Sequence, residues 1–302
     1  MGEGNRLNKK AMIMLIKNNI RYLSKKALRG AFILSTAASI YEIAIGKILE
    51  GSVCVAKSIL LLLLVFAILY VVSFIVLSLW LCKKNNFEVF STDKHSVYLH
   101  FGDIFDNEIV NNKVEHKHIV INVNRCFDTI VNNELISEKT LHGKVFKNLY
   151  DEKKYTEEQL QAAIYDSLKG LDYITIPEEE KPQGNLKRYD IGTVAKIDDS
   201  NTKSYFLLAM STFDRNLNAH TTKQDFVLSI QRLIEYCDRN AQGFPIPMPL
   251  LGSGLSRTGI DCYSDLLRYI LNALRLNKEK MTCDFHIYIR PQDKQKINFN
   301  NL

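Results

Sequence analysis

The sequence predicts an α/β fold, a mixed sheet with helices on both faces, preceded by an N-terminal two-helix transmembrane hairpin. Residues 58–82 form a run of 25 residues without a charge. Beyond residue 84, short runs rich in Val, Ile, Phe and Tyr alternate with helical patterns, which is typical of an α/β domain. The positive charge is also uneven: residues 1–84 carry 12 basic and three acidic side chains, and the rest carries 27 and 30. An apolar, basic start followed by a slightly acidic domain indicates a membrane protein.

Three parts are predicted. Residues 1–30 form a basic, amphipathic cytoplasmic lead that lies on anionic lipid, residues 31–84 form the transmembrane hairpin, and residues 85–302 form a cytoplasmic ligand-binding domain. The acidic balance of this domain argues against nucleic acid as a partner. The six cysteines show no C-x-x-C spacing, which argues against zinc and disulfides. We therefore expect no metal ion and no resident cofactor.

The hairpin is predicted from two segments of unequal strength. Residues 58–82 exceed the roughly 20 apolar residues that a membrane crossing needs, and Trp80 lies where an indole favours the lipid interface. Residues 31–49 are interrupted by Glu42 and Lys47, so an interfacial helix is the alternative there. In hydrocarbon, Glu42 would face a partner helix or a pore. The basic lead stays inside, and two crossings return the chain, so both termini are predicted to be cytoplasmic.

The cytoplasmic elements follow from hydrophobic periodicity and caps. Strands are predicted at residues 87–91, 96–101, 118–123, 191–197, 204–211, 245–250 and 283–290, and helices at residues 156–168, 222–240 and 261–276. Thr222 and Asp225 form a candidate capping pair, and Asp261 is a candidate N-cap. Residues 178–186 combine charges with Pro182 and Gly184, which predicts a loop.

Residues 245–259 combine a strand, a glycine-rich loop and the start of a helix. Gly252, Gly254 and Gly259 permit backbone angles that let successive N–H groups point at one anion, with help from the helix N-terminus. Arg257 would add charge-assisted hydrogen bonds to a phosphate. The spacing matches neither a Walker loop, a dinucleotide fingerprint nor a serine hydrolase elbow. On spacing alone, a ligand loop and a tight structural turn both remain open.

Three motifs in this order resemble the macro domain, a family that binds ADP-ribose. They are Gly102-Asp103-Ile104 after a strand, a strand that ends in Asn124, and the late glycine-rich loop. The resemblance implies that Asp103 recognises adenine, that Asn124 lies near the distal ribose, and that residues 252–257 wrap the pyrophosphate. Residues 124–129, 141–143 and 250–259 are similar to one branch, the membrane-anchored ThsA effectors of type II Thoeris anti-phage systems.

This resemblance implies an anti-phage effector in the bacterial inner membrane. A partner TIR-domain protein would consume NAD and release an ADP-ribose derivative, histidine-ADP-ribose, that the macro domain binds. Binding would drive homo-oligomerisation and membrane disruption, and so abortive infection. The residues expected to bind the ligand are Asp103, Ile104, Asn124, Cys126, Phe127, Asp128, His142, Gly143, Leu251, Gly252, Ser253, Gly254, Leu255, Ser256 and Arg257. Glu42 is the residue expected to act in the membrane.

No catalytic residue is assigned. Macro-domain hydrolases pair Asn-Ala-Ala-Asn with three successive glycines, whereas this strand ends Asn122-Val123-Asn124 and the following segment offers only Gly143. Two alternatives to the receptor stay open. One is a membrane-tethered ADP-ribosyl hydrolase with His142 or Asp128 as the base, and the other is a structural membrane adaptor with an empty macro fold.

Overall fold

The computed structural model describes residues 8–45, 55–105, 116–254 and 258–301. The chain divides into two compact units, a helical unit of Met1–Asn85 with Pro291–Leu302, and an α/β unit of Asn86–Arg290. The sequence analysis placed the last twelve residues in the ligand-binding domain. In the structure they pack with the N-terminal helices instead, because their apolar side chains, Ile297 and Phe299, are buried there.

The helical unit contains α1 (Lys9–Asn18), α2 (Ile20–Ile45) and α3 (Val55–Lys83). Within the described residues, one stretch, Leu62–Lys83 of α3, is long and apolar enough to cross a membrane. The predicted first crossing at residues 31–49 lies partly outside the described chain and does not meet this criterion where it is described. Glu42 is in α2, but its side chain lies outside the described part.

Helices α2 and α3 pack through small side chains. Ala27 and Ala31 are fully buried, and a Cβ added at Gly30 would lie 3.6 Å from the Ser73 hydroxyl oxygen. Small residues let two helix backbones approach closely, which is the usual packing of helices in lipid. Many apolar side chains of α2 and α3 are exposed, among them Phe32, Leu63 and Val72, as expected for a surface that faces hydrocarbon.

The residues Pro291–Asn301, here called the C-terminal strap, contain two short 3-10 helices, Pro291–Lys296 and Phe299–Asn301. Leu15 of α1 is fully buried in this unit, whereas Ile13 and Met14 are exposed. The amide of Asn18 donates to the Gln295 carbonyl at 2.8 Å, so α1 is hydrogen-bonded to the strap. Part of the apolar side of α1 therefore packs inside the helical unit and does not face lipid or solvent.

The α/β unit is built from ten strands and four helices within its described residues. The strands are β1 (Asn86–Ser91), β2 (Ser96–Phe101), β3 (Lys117–Asn124), β4 (Tyr173–Thr175), β5 (Lys187–Tyr189), β6 (Val194–Ser200), β7 (Lys203–Phe213), β8 (Ala219–His220), β9 (Ile246–Pro249) and β10 (Phe285–Ile289). The helices are α4 (Leu141–Asp151), α5 (Glu157–Ser167), α6 (Lys223–Asn240) and α7 (Tyr263–Leu276).

The sheet is mixed. Strands pair in the orders β1-β2-β10-β9 and β3-β7-β6, with β8 against β7 and β4 against β5. The pairs β2–β10, β10–β9 and β3–β7 are parallel, whereas β1 and β6 run antiparallel to their neighbours. Tyr205 and Leu207 of β7 join the core formed with α4 and α5, while Phe206 contacts Tyr236 of α6 edge-on. Helices therefore cover both faces, as predicted.

Strand β9 meets β3 along a proline-rich boundary. The N–H groups of Ile246 and Leu250 donate to β10, at Asp284 and Tyr288, so the alternate residues of β9 face β3. Those alternate positions hold Pro245, Pro247 and Pro249, which have no N–H to donate. The His118 N–H donates to the Pro245 carbonyl at 3.1 Å, which places β9 beside β3.

All the strands and helices that the sequence predicts for this unit are present, with ends that differ by up to three residues. The prediction missed α4 and the short strands β4, β5 and β8. The Thr222–Asp225 capping box is confirmed. The predicted N-cap at Asp261 is wrong: α7 begins after Cys262, whose side chain makes no capping hydrogen bond.

Candidate functional site

The carboxyl ends of the parallel strands β2, β10 and β9 lie at one edge of the sheet, and β3 ends at the same edge. Three segments leave from this edge: residues 102–105, 125–130 and, as far as the structure describes the glycine-rich loop next to β9, residues 250–254. They carry most of the residues that the sequence analysis selected. In open α/β sheets, this edge is the usual place for a ligand.

The end of β10 is hydrogen-bonded to two of these loops. The Gly102 N–H donates to the Ile289 carbonyl at 3.1 Å, and the Leu250 N–H donates to the Tyr288 carbonyl at 3.0 Å. Because β10 lies between β2 and β9, the Asp103 loop and the glycine-rich loop are held on either side of its last two residues.

The Asp103 loop presents a carboxylate at this edge. Asp103 is exposed, and its Oδ1 accepts a hydrogen bond from the Phe105 N–H at 3.0 Å. This bond fixes the side chain over its own turn and leaves Oδ2 directed away from that bond. The neighbouring Ile104 is buried in the core, where it anchors the turn.

The glycine-rich loop combines a packed start with an open end. Leu251 and Gly252 are buried, and Gly252 has a φ of +82°. A Cβ at Gly252 would lie 3.0 Å from a Leu266 methyl group, so both backbone angle and space require glycine there. Gly254 is exposed, and a Cβ added to it would meet no atom within 4 Å. Leu255, Ser256 and Arg257 lie outside the described residues.

Helix α7 begins next to this loop. The Tyr263 hydroxyl, in the first turn of α7, donates to the Ser253 carbonyl at 3.3 Å. The Ser253 hydroxyl in turn donates to the Leu250 carbonyl at 2.6 Å. Since Cys262 supplies no side-chain cap, the first N–H groups of α7 have no capping oxygen from that residue. A helix N-terminus of this kind favours negative charge.

The segment that follows β3 is buried. The Asn124 Oδ1 accepts from the Cys126 N–H at 2.9 Å. Phe127 has a φ of +51° and is buried in the core against the edge of the Tyr189 ring. Burial raises the pKa of the Cys126 thiol to about 11, so this thiol is protonated at neutral pH.

Asp128 lies in a buried ion pair. The Lys181 ammonium is 3.0 Å from both carboxylate oxygens of Asp128, and both side chains are about 1% exposed. Lys181 also donates to the carbonyls of Gln183 and Asn185 at 2.6 and 2.9 Å. The Asn185 N–H donates to Asp128 Oδ1 at 2.6 Å. Residues 181–185 are thus bound to the segment after β3.

His142 and Gly143 belong to the first turn of α4. The Thr140 hydroxyl caps this helix by accepting from the Gly143 N–H at 3.0 Å. A Cβ at Gly143 would lie 2.2 Å from the Ser137 carbonyl oxygen, so only glycine fits. The His142 ring packs edge-on to Phe146, and burial lowers its pKa to about 3.

The comparison with known families agrees with this geometry. A family model described as "Thoeris protein ThsA, Macro domain" matches residues 97–290, which span the described sheet from β2 to β10. The chain belongs to the ThsA family. The curated Thoeris protein ThsA of Bacillus amyloliquefaciens (strain Y2) is 30% identical over 260 residues, which cover 82% of this chain and 80% of that protein. This chain is therefore a ThsA-type Thoeris defence protein with a macro domain.

Solved macrodomain structures are also similar to this ThsA chain. The Oceanobacillus iheyensis macrodomain with ADP matches with a TM-score of 0.41 and 9% identity, covering 72% of this chain and 94% of that structure. A mutant of the same macrodomain gives a TM-score of 0.42 and 11% identity, covering 70% and 89%. A Streptomyces coelicolor macrodomain protein gives 0.32 and 8%, covering 64% and 97%.

The residues selected from the sequence of this ThsA macro domain fall into two groups. Asp103 and Gly254 are exposed and Ser253 is half-buried at the sheet edge, where a ligand has access. Buried residues, which support the edge through internal contacts, are Ile104, Asn124, Cys126, Phe127, Asp128, His142, Gly143, Leu251 and Gly252. Their role in binding remains a prediction.

Sequence reasoning missed the buried polar partners of Asp128. Lys181 follows three glutamates in a segment read as a solvated loop, and no local signal distinguishes it from a surface lysine. Asn185 links this loop further, since its amide donates to the Cys126 and Phe127 carbonyls at 3.2 and 3.0 Å and to Gln161 Oε1 at 2.6 Å. Among the described residues, no group of three or more His, Cys, Asp or Glu side chains is placed to hold a metal ion.

Proposed function

We propose that this ThsA protein is a membrane effector of anti-phage defence whose macro unit binds an ADP-ribose-derived signal. Histidine-ADP-ribose, made by a partner TIR-domain protein, is the proposed signal. Binding triggers homo-oligomerisation and disruption of the bacterial inner membrane, which ends in abortive infection. The ligand touches the exposed residues of the sheet edge, and its diphosphate lies against residues 252–257.

The observation that carries this proposal is the convergence of two chemically different groups at one sheet edge. Asp103 offers a carboxylate oxygen, an acceptor suited to the exocyclic amine of adenine. Gly254 offers an open backbone close in the chain to the N-terminus of α7, and a helix N-terminus suits a diphosphate. Both loops are hydrogen-bonded to β10, so their separation is fixed by the sheet.

The burial and hydrogen bonding of the two candidate bases, His142 and Asp128, favour a receptor over a hydrolase. His142 is buried, and its pKa of about 3 reflects the cost of charging it there. Asp128 is held by the Lys181 ammonium at 3.0 Å and by the Asn185 N–H. A general base must reach the water that it activates, and both side chains are instead occupied or enclosed.

The membrane half of the proposal rests on α3 and on the charges near it. Leu62–Lys83 supplies one crossing, and residues 31–49 are proposed as the second, with Glu42 lining the assembled membrane part. The C-terminal strap packs with α1, which supports the same cytoplasmic side for both ends of the chain. Basic residues around the ends of these helices favour that side.

Calorimetry on the full chain in lipid nanodiscs tests the binding claim. We expect both ADP-ribose and histidine-ADP-ribose to bind, the second more tightly. Asp103→Ala should weaken binding about tenfold or more, since a hydrogen bond to a charged group contributes ~1.5–3 kcal/mol. Asp172→Ala, which removes another exposed aspartate of the same unit, is the matched control.

Other results would replace the proposal. Release of free ADP-ribose from an ADP-ribosylated protein would identify a hydrolase. Absence of heat with either compound at millimolar concentration would favour an adaptor without a ligand. Liposomes loaded with dye test the effector step, because ligand addition should release dye from wild-type vesicles. Unchanged release from Glu42→Ala vesicles would remove Glu42 from the membrane step and leave the binding result intact.

A further inference from the structure

Lys294 of the C-terminal strap is a buried lysine whose ammonium is hydrogen-bonded at the end of α3. Its side chain is 1% exposed, and its ammonium donates to the carbonyls of Cys82 and Lys84 at 3.1 and 2.6 Å and to Asn85 Oδ1 at 3.2 Å. Those carbonyls end α3, where the last turn leaves carbonyl groups without helical partners. A cation is favoured at a helix C-terminus, so Lys294 closes the end of the membrane-spanning helix.

The far part of the strap is locked to the helices through Asn19, a fully buried side chain between α1 and α2. Its amide donates to the Leu15 and Ile297 carbonyls, both at 2.9 Å, and its Oδ1 accepts from the Phe299 N–H at 2.6 Å. The ring centroid of Phe299 lies 5.9 Å from that of Tyr22. The strap is therefore an integral part of the helical unit.

Lys294 contacts the residue before one covalent connection between the two units and follows the other connection by only a few residues of the chain. One connection is Asn85–Asn86, between α3 and β1, and Asn85 accepts from the lysine. The other is Arg290–Pro291, where only Arg290 separates the end of β10 from the strap. The last residues of β10 are in turn bonded to Gly102 and Leu250, the first residues of the two loops at the candidate ligand edge.

We propose that the C-terminal strap transmits ligand occupancy from the macro unit to the membrane helices, with Lys294 as the positioning residue that couples the strap to the end of α3. This inference rests on the proposed function, because it assigns the regulation of the same ligand edge. A ligand that contacts the Asp103 loop and the start of the glycine-rich loop can act on β10 through the two backbone hydrogen bonds of Gly102 and Leu250. One residue spans less than ~4 Å, so Arg290 alone absorbs little displacement.

The energetic requirement is differential binding. A ligand shifts the membrane helices only by the difference in its affinity for two states of the protein. We propose that the strap connects the two states, because a shift of β10 would move the strap. Such a shift would change the hydrogen bonds between Lys294 and the end of α3. Replacing Lys294 should therefore separate ligand binding from the membrane response.

Trp80 provides the readout, because it is the only tryptophan of the chain and lies in the last turns of α3. The Lys84 ammonium is 4.8 Å from its ring centroid, and the Lys84 carbonyl accepts from Lys294. In the wild-type full chain in nanodiscs, ADP-ribose should change the emission of Trp80. In Lys294→Met the change should be lost, while the affinity measured by calorimetry stays within about threefold.

Two further variants keep the test decisive if Lys294→Met is poorly folded. Lys296→Met makes the same chemical change at an exposed position of the strap and should respond like the wild type. Insertion of a flexible Gly-Ser-Gly-Ser segment between Arg290 and Pro291 leaves every side chain of the strap unchanged, yet should abolish the Trp80 response.

The outcomes separate the two proposals. ADP-ribose binding with a full Trp80 response in both the Lys294 variant and the insertion variant would overturn the coupling role of the strap. Binding without any Trp80 response in the wild type would also overturn it and leave the binding half of the proposed function intact. No binding of either ADP-ribose compound to the wild type would refute the proposed function itself.

Discussion

At the residue scale, the Asp128–Lys181 pair shows how a polar group is tolerated inside the macro unit. Each charge has the other within 3.0 Å, and backbone groups satisfy most of the remaining bonding capacity. Removing water from two charges is costly, so such a pair is tolerated only when both members are present. The pair also binds the loop of residues 181–185 to the end of β3.

Lys181→Met should destabilise the macro unit strongly, because the Asp128 carboxylate would lose its ammonium partner while staying buried. Breaking a buried pair in this way costs about 3–5 kcal/mol. Thermal unfolding of the full chain in detergent, followed by circular dichroism, should show a midpoint lower by roughly 10 °C.

The double variant Asp128→Asn/Lys181→Met is the control, since it removes both charges and keeps similar volumes. It should recover most of the lost stability. Equal midpoints for Lys181→Met and the wild type would show that the ion pair does not hold the loop in place.

His118 predicts a pH effect on stability. Both of its ring nitrogens are buried without a hydrogen-bond partner in the described chain, its ring stacks on Phe206 at 4.4 Å, and burial lowers its pKa from 6.5 to about 4. Between pH 6.5 and 4 the unfolded chain binds a proton that the folded chain does not. The free energy of unfolding therefore falls as the pH drops through this window and is fully retained above pH 6.5.

His118→Phe keeps the stacked ring and removes the titration. The variant should be more stable than the wild type, and its advantage should grow by about 1.4 kcal/mol per pH unit below 6.5. Thermal midpoints at pH 7.5 and 5.0 measure this difference. The same advantage at both values would contradict the assigned pKa shift.

At the element scale, the strands and helices that the sequence predicts are those with a clear hydrophobic pattern or capping residues. The longer strands alternate or run apolar for most of their length, α5 and α6 begin with capping boxes, and α7 has an amphipathic pattern, so the sequence predicts these elements. Helix α4 was not predicted because Gly143 lowers the helix propensity of its first turn. Thr140, a residue type common at helix N-caps, was the sequence signal for its start. The glycine is required by the Ser137 carbonyl, a contact that sequence alone does not give.

The candidate site was predictable to a similar extent. The exposed positions Asp103 and Gly254 follow from motifs at strand ends, and parallel strands bring such ends together. Asp128 is buried against Lys181, 53 residues further along the chain, and the Asn185 amide of the same loop donates to the Phe127 carbonyl. Long-range contacts of this kind leave no periodic trace in the sequence.

The glycine-rich loop gives a matched pair of substitutions. Gly252→Ala should lower stability, because the residue has a φ of +82° and its Cβ would press on Leu266 and Thr258. Gly254→Ala has free space and should leave the thermal midpoint unchanged. If the ligand approaches the Gly254 backbone, this methyl group should weaken ADP-ribose binding about tenfold, measured by calorimetry. Unchanged affinity in Gly254→Ala would place the diphosphate elsewhere.

At the scale of the whole molecule, the division of charge and hydropathy along the sequence corresponds to two structural units. The basic N-terminal residues belong to the helical unit, and the acidic balance belongs mainly to the macro unit. The strap is the exception, since the chain returns to the helices after completing the sheet. Neither composition nor periodicity predicts that return.

Val72 lies near the middle of Leu62–Lys83, and its side chain is about half exposed. Val72→Arg should prevent stable membrane integration, because an arginine at the centre of a crossing costs at least ~2.5–3.5 kcal/mol. Alkaline extraction of membranes should release this variant and retain the matched variant Val72→Leu. Release of the wild-type chain by the same extraction would show that α3 does not cross the bilayer.

The three prolines of β9 have a consequence for the behaviour of partly unfolded molecules. If the sheet opens between β9 and β3, the freed edge of β9 presents carbonyls but no amide hydrogens. Such an edge cannot form a ladder with a strand from another molecule, which is a common route to aggregation. The prolines of β9 should therefore oppose aggregation of molecules in which the sheet has opened beside this strand.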